Sequence, residues 1–312
     1  MKIILFVMLS YLSQVVFAQS SSVSASSSAT STAPAGESRA SQTEILKNKK
    51  FEESKEITDA KLKAEAGSLS KYSLKFNLSY YGPTLGDLSA KDQPNPDGSI
   101  GSYETALSGS MGLRYRFDTK SSLSAGTGLR AVHPMHGMER FDVSTPYLSY
   151  DRTTRLAGVQ IRHSPGVTLT TIPNYKDVGQ TSSVSYDLST VYDLGESRFA
   201  LGLDAGVSVF LYNREYQPRD KKAARGAVQV FPALKYNHSN RTSFITSTAL
   251  TWLSPRSYSN ESVLLNKTVS QRLGMGYAYS RDVYFFPYLT MYPTNLSLDS
   301  TTVSLSTTFS LL

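Results

Sequence analysis

The four histidines are the first residues to test for chemistry. A histidine that takes the proton of a serine on a β-strand must lie two residues from it, because alternate side chains share a face. In Asn237-His238-Ser239-Asn240 and in His163-Ser164 the two types are adjacent, so on a strand they face opposite ways. The first of these is also the composition of a tight turn. His133 and His136, with Glu139 and Asp142 nearby, are a weak metal set, and a surface loop is the simpler account of them. No Gly-rich phosphate loop and no paired catalytic carboxylates stand out. With no cysteine in 312 residues there is no disulfide framework, thiolate zinc site or cysteine nucleophile. No catalytic, cofactor or metal site is expected.

The charged residues are more informative through their placement. The formal charge is +7, yet Lys and Arg are scattered, which gives no nucleic-acid signature. Charged residues make up 18% of the chain, below the usual quarter, alongside 20 Tyr and 1 Trp. From Ser70 to Leu312 apolar residues recur at every second position, in about twelve segments bounded by turn residues. Tyr72, Leu74, Phe76, Leu78 and Tyr80 alternate with Ser73, Lys75, Asn77 and Ser79. Val303, Leu305, Thr307, Phe309 and Leu311 alternate with Ser304, Ser306, Thr308 and Ser310. The segment near Pro146–Asp151 is short and poorly marked, with an unclear turn near Thr153. Otherwise short connections (118–121, 195–197, 238–241, 280–282) alternate with long ones (82–101, 133–145, 173–181, 213–226, 254–262, 293–301).

That order is produced by an up-and-down sheet with tight turns at one end and long loops at the other. Many segments reach the ten or so residues that a tilted strand needs to cross a bilayer. Aromatic residues mark strand ends on the apolar side, as at Tyr72, Tyr80, Tyr103, Phe117, Phe199, Trp252, Tyr279 and Phe309. Lipid offers no water to an open sheet edge, so such a sheet must close. A soluble secreted sandwich or solenoid is the competing architecture.

On these patterns residues 70–312 resemble Gram-negative outer-membrane β-barrel proteins. The resemblance implies an all-β, up-and-down antiparallel transmembrane barrel of about twelve strands. It also implies contact with outer-membrane lipid and lipopolysaccharide, and handling by the barrel-assembly machinery. In that class the last strand usually ends in an aromatic residue, whereas this chain ends at Leu312. The twelve-stranded members include solute channels and a lipid-degrading enzyme. The His-x-Ser pair of such enzymes is missing here, so a lipid-acting enzyme is the least favoured reading. The preferred expectation is a porin-like diffusion channel for small solutes.

Polar-face parity places Lys75, Glu104, Arg114, Arg130, Asp151, Arg162, Asp187, Asp204, Lys235 and Arg272 inside the barrel as pore-lining candidates. Tyr284, Phe286, Tyr288 and Tyr292 share that side as an aromatic row. Two readings stay open. Internal ion pairs can fill a narrow barrel, which would then serve as an adhesin, anchor or interaction module. Alternatively a basic excess lines a watery pore and favours anions. The basic stretch Asn213–Gly226 could meet lipopolysaccharide, though a solvated loop explains it more simply.

Ahead of the barrel, Met1–Ala18 read as a secretory signal, with Lys2, a broken apolar run and a small residue at Ala18. Gln19–Ala40 is a Ser/Ala-rich disordered linker. Residues 41–67 read as a charged periplasmic helix, with a capping box at Ser41-Gln42-Thr43-Glu44 and an end at Gly67. Its apolar residues form no single stripe. A solvated helix outside the barrel is therefore the leading expectation, and a plug or a segment that binds a periplasmic partner is the sharper one.

Overall fold

The computed structural model describes residues 51–52, 56–94, 103–213, 223–256 and 265–311. The expected signal peptide, the linker and the Ser41 capping box lie outside these residues, as do Arg214, Arg219, Lys221 and Lys222.

Twelve strands close into one antiparallel barrel. They are β1 (Tyr72–Thr84), β2 (Ala106–Arg116), β3 (Ser121–Val132), β4 (Arg140–Leu156), β5 (Val159–Leu169), β6 (Gln180–Asp193), β7 (Phe199–Tyr212), β8 (Ala223–Asn237), β9 (Thr242–Arg256), β10 (Leu265–Ser280), β11 (Val283–Met291) and β12 (Thr302–Leu311). Each pairs with its neighbours in sequence, and β1 pairs with β12 to shut the ring. The seam runs in register from Leu74↔Leu311 to Tyr80↔Leu305. Across it the rings of Phe76 and Phe309 stack at 4.5 Å.

Burial is inverted relative to a soluble protein. The inward row is polar, and Ser73, Lys75, Ser110, Arg114 and Gln160 are all 0% exposed. The outward row leaves Leu113, Phe117, Leu148, Val184, Leu201, Val207 and Val209 exposed. Leaving one such side chain in water instead of apolar surroundings forfeits up to about 1.5–3 kcal/mol. Repeated around a ring, that burden is relieved only by lipid. No described helix is long and apolar enough to cross a membrane.

Tight turns at 117–120, 157–158, 194–198, 238–241 and 281–282 lie at one end, and the long connections lie at the other. The poorly marked fourth segment is in fact the longest strand, β4, of 17 residues. A bulge explains the weak signal. Thr145 takes φ 51°, and the β3–β4 register shifts between Gly126 and Gly128. Parity flips there, so outward Phe141 and Val143 fall out of phase with outward Leu148. The turn sought near Thr153 is the two-residue Ala157–Gly158 turn, with φ of 48° and 84°. Tyr103 and Glu104 precede β2 and pair with Gln93 and Asp92 in a separate ribbon.

The N-terminal segment needs a larger correction. Its described helical part is one short helix, α1 (Ala60–Ala66), capped by Asp59. It lies inside the barrel and not beside it in solvent, with Leu62 1% and Ala64 0% exposed. A seven-residue helix is not stable on propensity alone, and what fixes it is the wall around it.

Candidate functional site

Residues 56–70 form a strap across the lumen at the tight-turn end. Glu56 pairs with Lys120 in the β2–β3 turn. The N–H groups of Thr58 and Asp59 donate to Gln160 Oε1 at 2.7 and 2.9 Å. Gln160 Nε2 returns a bond to Thr58 Oγ1 at 2.9 Å and reaches Asp193 Oδ2 at 3.0 Å. Asp59 Oδ1 caps α1 by accepting from Leu62 N–H at 3.0 Å, while its Oδ2 accepts from Lys235 Nζ. Ile57 and Leu62 pack on Val191 and Ala200, and Ala64 packs on Ala278 and Tyr284.

Along α1, Lys61 donates to Asp204 Oδ2 at 2.6 Å. Glu65 lies 3.5 Å from Arg162, whose other nitrogen holds Asp151. Burial pushes the Asp59 carboxyl up, but the Lys235 ammonium, its hydrogen bond and the Leu62 N–H outweigh this and leave it below its ordinary value. Burial likewise pushes Lys61 down, and Asp204 and Glu65 overcome it, so that Lys61 is held above its ordinary value.

The helix ends on arginines from the opposite wall. Arg114 Nη2 and Arg116 Nε donate to Ser68 O at 2.8 and 3.0 Å. Arg116 Nη2 donates to Ala66 O at 2.7 Å, and Arg281 Nη1 to Gly67 O at 2.6 Å. Carbonyls left over at a helix C-terminus are natural partners for such cations. Gly67 turns the chain with φ 68°, and a Cβ there would lie 1.7 Å from Arg114 Nη1.

Above the strap is a cavity of about 220 Å³. Its lining includes Asp187 and Asp204, Phe231 directly across from Asp204 on the next strand, and Tyr284, Phe286 and Tyr288 of β11. The Arg272 guanidinium lies 4.9 Å from the Phe231 ring centre and 5.4 Å from that of Tyr288. Nearer the long loops, a second short helix, α2 (Pro173–Asp177), tucks Tyr175 inward beside Phe210 and Tyr212.

The residues singled out by parity therefore divide by level. Lys75, Arg114, Asp151, Arg162 and Lys235 are buried at the strap. Asp187, Asp204, Arg272, Tyr284, Phe286 and Tyr288 line the cavity. Arg130 pairs with Glu104 at 3.0 Å toward the long-loop end. Tyr292 lies beyond β11 and bridges to Asn295. Sequence reasoning missed Asp59, Lys61, Glu65, Gln160 and Arg281, whose partners lie far along the chain.

The histidines take other parts. Ser239 Oγ accepts from Arg241 and Thr242 N–H within the β8–β9 turn. His163 faces outward beside Tyr186, whereas Ser164 faces in. His133 lies 3.1 Å from Glu139. Among the described residues no group of three or more His, Asp or Glu is arranged to hold a metal ion.

A closed strand barrel that is apolar outside and polar within, with turns and loops segregated to its two ends, is an outer-membrane-type transmembrane β-barrel. Its fold is similar to that of an outer-membrane channel from Pseudomonas putida F1, at 13% identity and a TM-score of 0.50, over 78% of this chain and 97% of that one. Looser likenesses are to the NanC porin (9% identity, TM-score 0.42, 77% of this chain and 100% of that one) and to the KdgM porin (10%, 0.39, 77% and 99%). At these identities the likeness establishes the fold alone. No protein-family model and no curated protein sequence matches the chain.

Proposed function

We propose that the chain is a porin-like diffusion channel for small, preferentially anionic solutes, held shut at its tight-turn end by the strap. The observation that carries this reading is the polar lumen, whose cavity of about 220 Å³ stands over a floor fastened by ion pairs and hydrogen bonds. Filling chosen for stability alone has little reason to use such contacts, since buried ion pairs are often no more stable than well-packed apolar residues. Contacts of this kind suit a closure that forms and releases. The anion preference rests on the lumen wall, where Lys75, Arg114, Arg116, Arg162, Lys235 and Arg272 outnumber Asp151, Asp187 and Asp204.

Planar-bilayer recordings test the reading. Intact protein should pass brief, infrequent current. Protein lacking residues 19–67 should pass steady current that favours anions over cations. A folded barrel without those residues that passes no current would overturn it.

A second reading has one observation in its favour. The strap meets the barrel at the tight-turn end, the periplasmic side in this class, through Glu56 and Lys120. There the preceding segment could hold a periplasmic partner while the filled barrel serves as an anchor. Under that reading the shortened protein stays silent in the bilayer and loses its partner.

A further inference from the structure

The strap already shows the lumen holding carboxylates. Asp59 meets Lys235 with the two side chains 4% and 9% exposed. Glu65 meets Arg162 at 3.5 Å with side chains 14% and 7% exposed. These charge-assisted contacts are the ones a dissolved carboxylate would make. Withdrawing the strap removes both carboxylates together with the Lys61 ammonium, whose wall partner is Asp204.

A third basic side chain strengthens the case. Lys75 is 0% exposed, and its Nζ has no hydrogen-bond partner. It stands in the field of Arg162, Asp151, Arg114 and Glu65. A basic group buried without an acceptor is costly as mere filling. Its position is intelligible if an anion bound at Arg162 also reaches it.

Resting on the channel reading above, we propose that the strap is an internal stand-in for the solute. Lys235 and Arg162, the latter with Lys75 beside it, are two anion stations for one elongated organic dianion, and such a dianion displaces the strap. Asp59 and Glu65 are six residues apart along a helical path, an axial rise of about 9 Å with the side chains about 120° apart around it, which sets the two carboxylates roughly 12–14 Å apart. A dicarboxylate of that reach engages both stations. A shorter one, or a monoanion, engages one and leaves the strap in place.

Dodecanedioate is the matching probe, with suberate as the short dianion and octanoate as the monoanion. The chain has no cysteine, so Ala64→Cys gives a single thiol. Ala64 is 0% exposed when the strap is seated, so maleimide labelling of full-length protein in vesicles reports its departure. Open probability of the unmodified chain in a planar bilayer is the second measurement, should the cysteine variant fold poorly. Dodecanedioate should raise both readouts by about fivefold or more and saturably, while the other two anions at matched ionic strength change them by less than about twofold. Asp59→Asn combined with Glu65→Gln should raise labelling without any added anion. If the three anions act alike on the full-length chain while protein lacking residues 19–67 conducts, the stand-in is overturned and the channel reading stands. If that shortened protein is silent as well, the channel reading falls first.

Discussion

At the tight-turn end of the lumen, contacts run from point to point. Lys235 holds Asp59, Arg162 holds Asp151 and Glu65, and Arg114, Arg116 and Arg281 hold the carbonyls of residues 66–68. In the upper lumen the main contacts are between faces. Arg272 lies over Phe231 and Tyr288, and Phe286 stacks on Tyr288 at 5.0 Å. Point contacts are all-or-none, because removing one partner strands the other in a dry site. Face contacts tolerate displacement, because many weak atom pairs share the load. One barrel thus combines a latch with a compliant chamber, and substitutions at the two levels should differ in size.

The largest effect belongs to the latch. Lys235→Met leaves the Asp59 carboxylate buried without its cation, and seating of the strap should weaken by about 3–5 kcal/mol. Labelling at Ala64→Cys would then become fast, while detergent-resistant folding of the barrel persists. Adding Asp59→Leu to Lys235→Met should restore much of the seating, since an apolar pair can replace a buried ion pair. Failure of that rescue would show that the Asp59 cap on Leu62 N–H, lost in the same variant, holds the strap as firmly as the ion pair does.

Acid should act on the same contact. The Asp59 carboxyl is held below its ordinary 3.8. A depressed carboxylate contributes stability above its unfolded value and loses it as pH falls through the folded one. The strap should therefore stay seated from neutral pH down to about 4 and release below that. Lys61, held above its ordinary 10.5, contributes fully at neutral pH and adds no transition there. Bilayer current compared at pH 6 and pH 3 checks the direction, and Asp59→Asn should flatten the response. Current that falls on acidification would contradict the latch.

Gly67 and Gly137 allow a matched test of the two ends. Both have positive φ, at 68° and 78°. A Cβ at Gly137 meets nothing within 4 Å, while one at Gly67 collides with Arg114. Alanine at Gly137 costs about 1–2 kcal/mol of backbone strain, and at Gly67, whose ψ of −170° lies in a region open essentially to glycine alone, up to about 3 kcal/mol. Gly67→Ala must also move Arg114 off Ser68. Thermal melts should therefore show Gly67→Ala as the more damaging of the two. Equal losses would show that the Arg114 contact contributes nothing.

The contrast also separates what the sequence made legible from what it hid. Inward and outward rows follow from parity, because a strand's faces alternate whatever else the chain does. Parity accordingly brought Lys75, Arg114, Arg162 and Lys235 to one side, and it failed where Thr145 breaks the period. The strap was hidden for a different reason. Ala60–Ala66 has no apolar stripe, and what fixes it comes from the wall, with Gln160 and Thr58 lying 102 residues apart. Asp59 is a good N-cap type, but so is Ser41, and local composition cannot choose between them. Nothing in Lys235 itself announces that its partner is a helix cap.

The smallest expected effect is the sharpest check on the chamber. Arg272→Lys keeps the charge and loses the flat guanidinium that lies across Phe231 and Tyr288. A cation–π contact of this kind is worth about 0.5–1 kcal/mol where water can reach it, and an ammonium recovers part of that. Stability should fall by less than about 1 kcal/mol, and strap labelling should not change. Anion preference should persist, because the charge stays in the wall, while open-channel current shifts modestly as the aromatic row relaxes. If Arg272→Lys instead released the strap as Lys235→Met does, the two levels would be coupled, and the lumen would act as a single latch from floor to mouth.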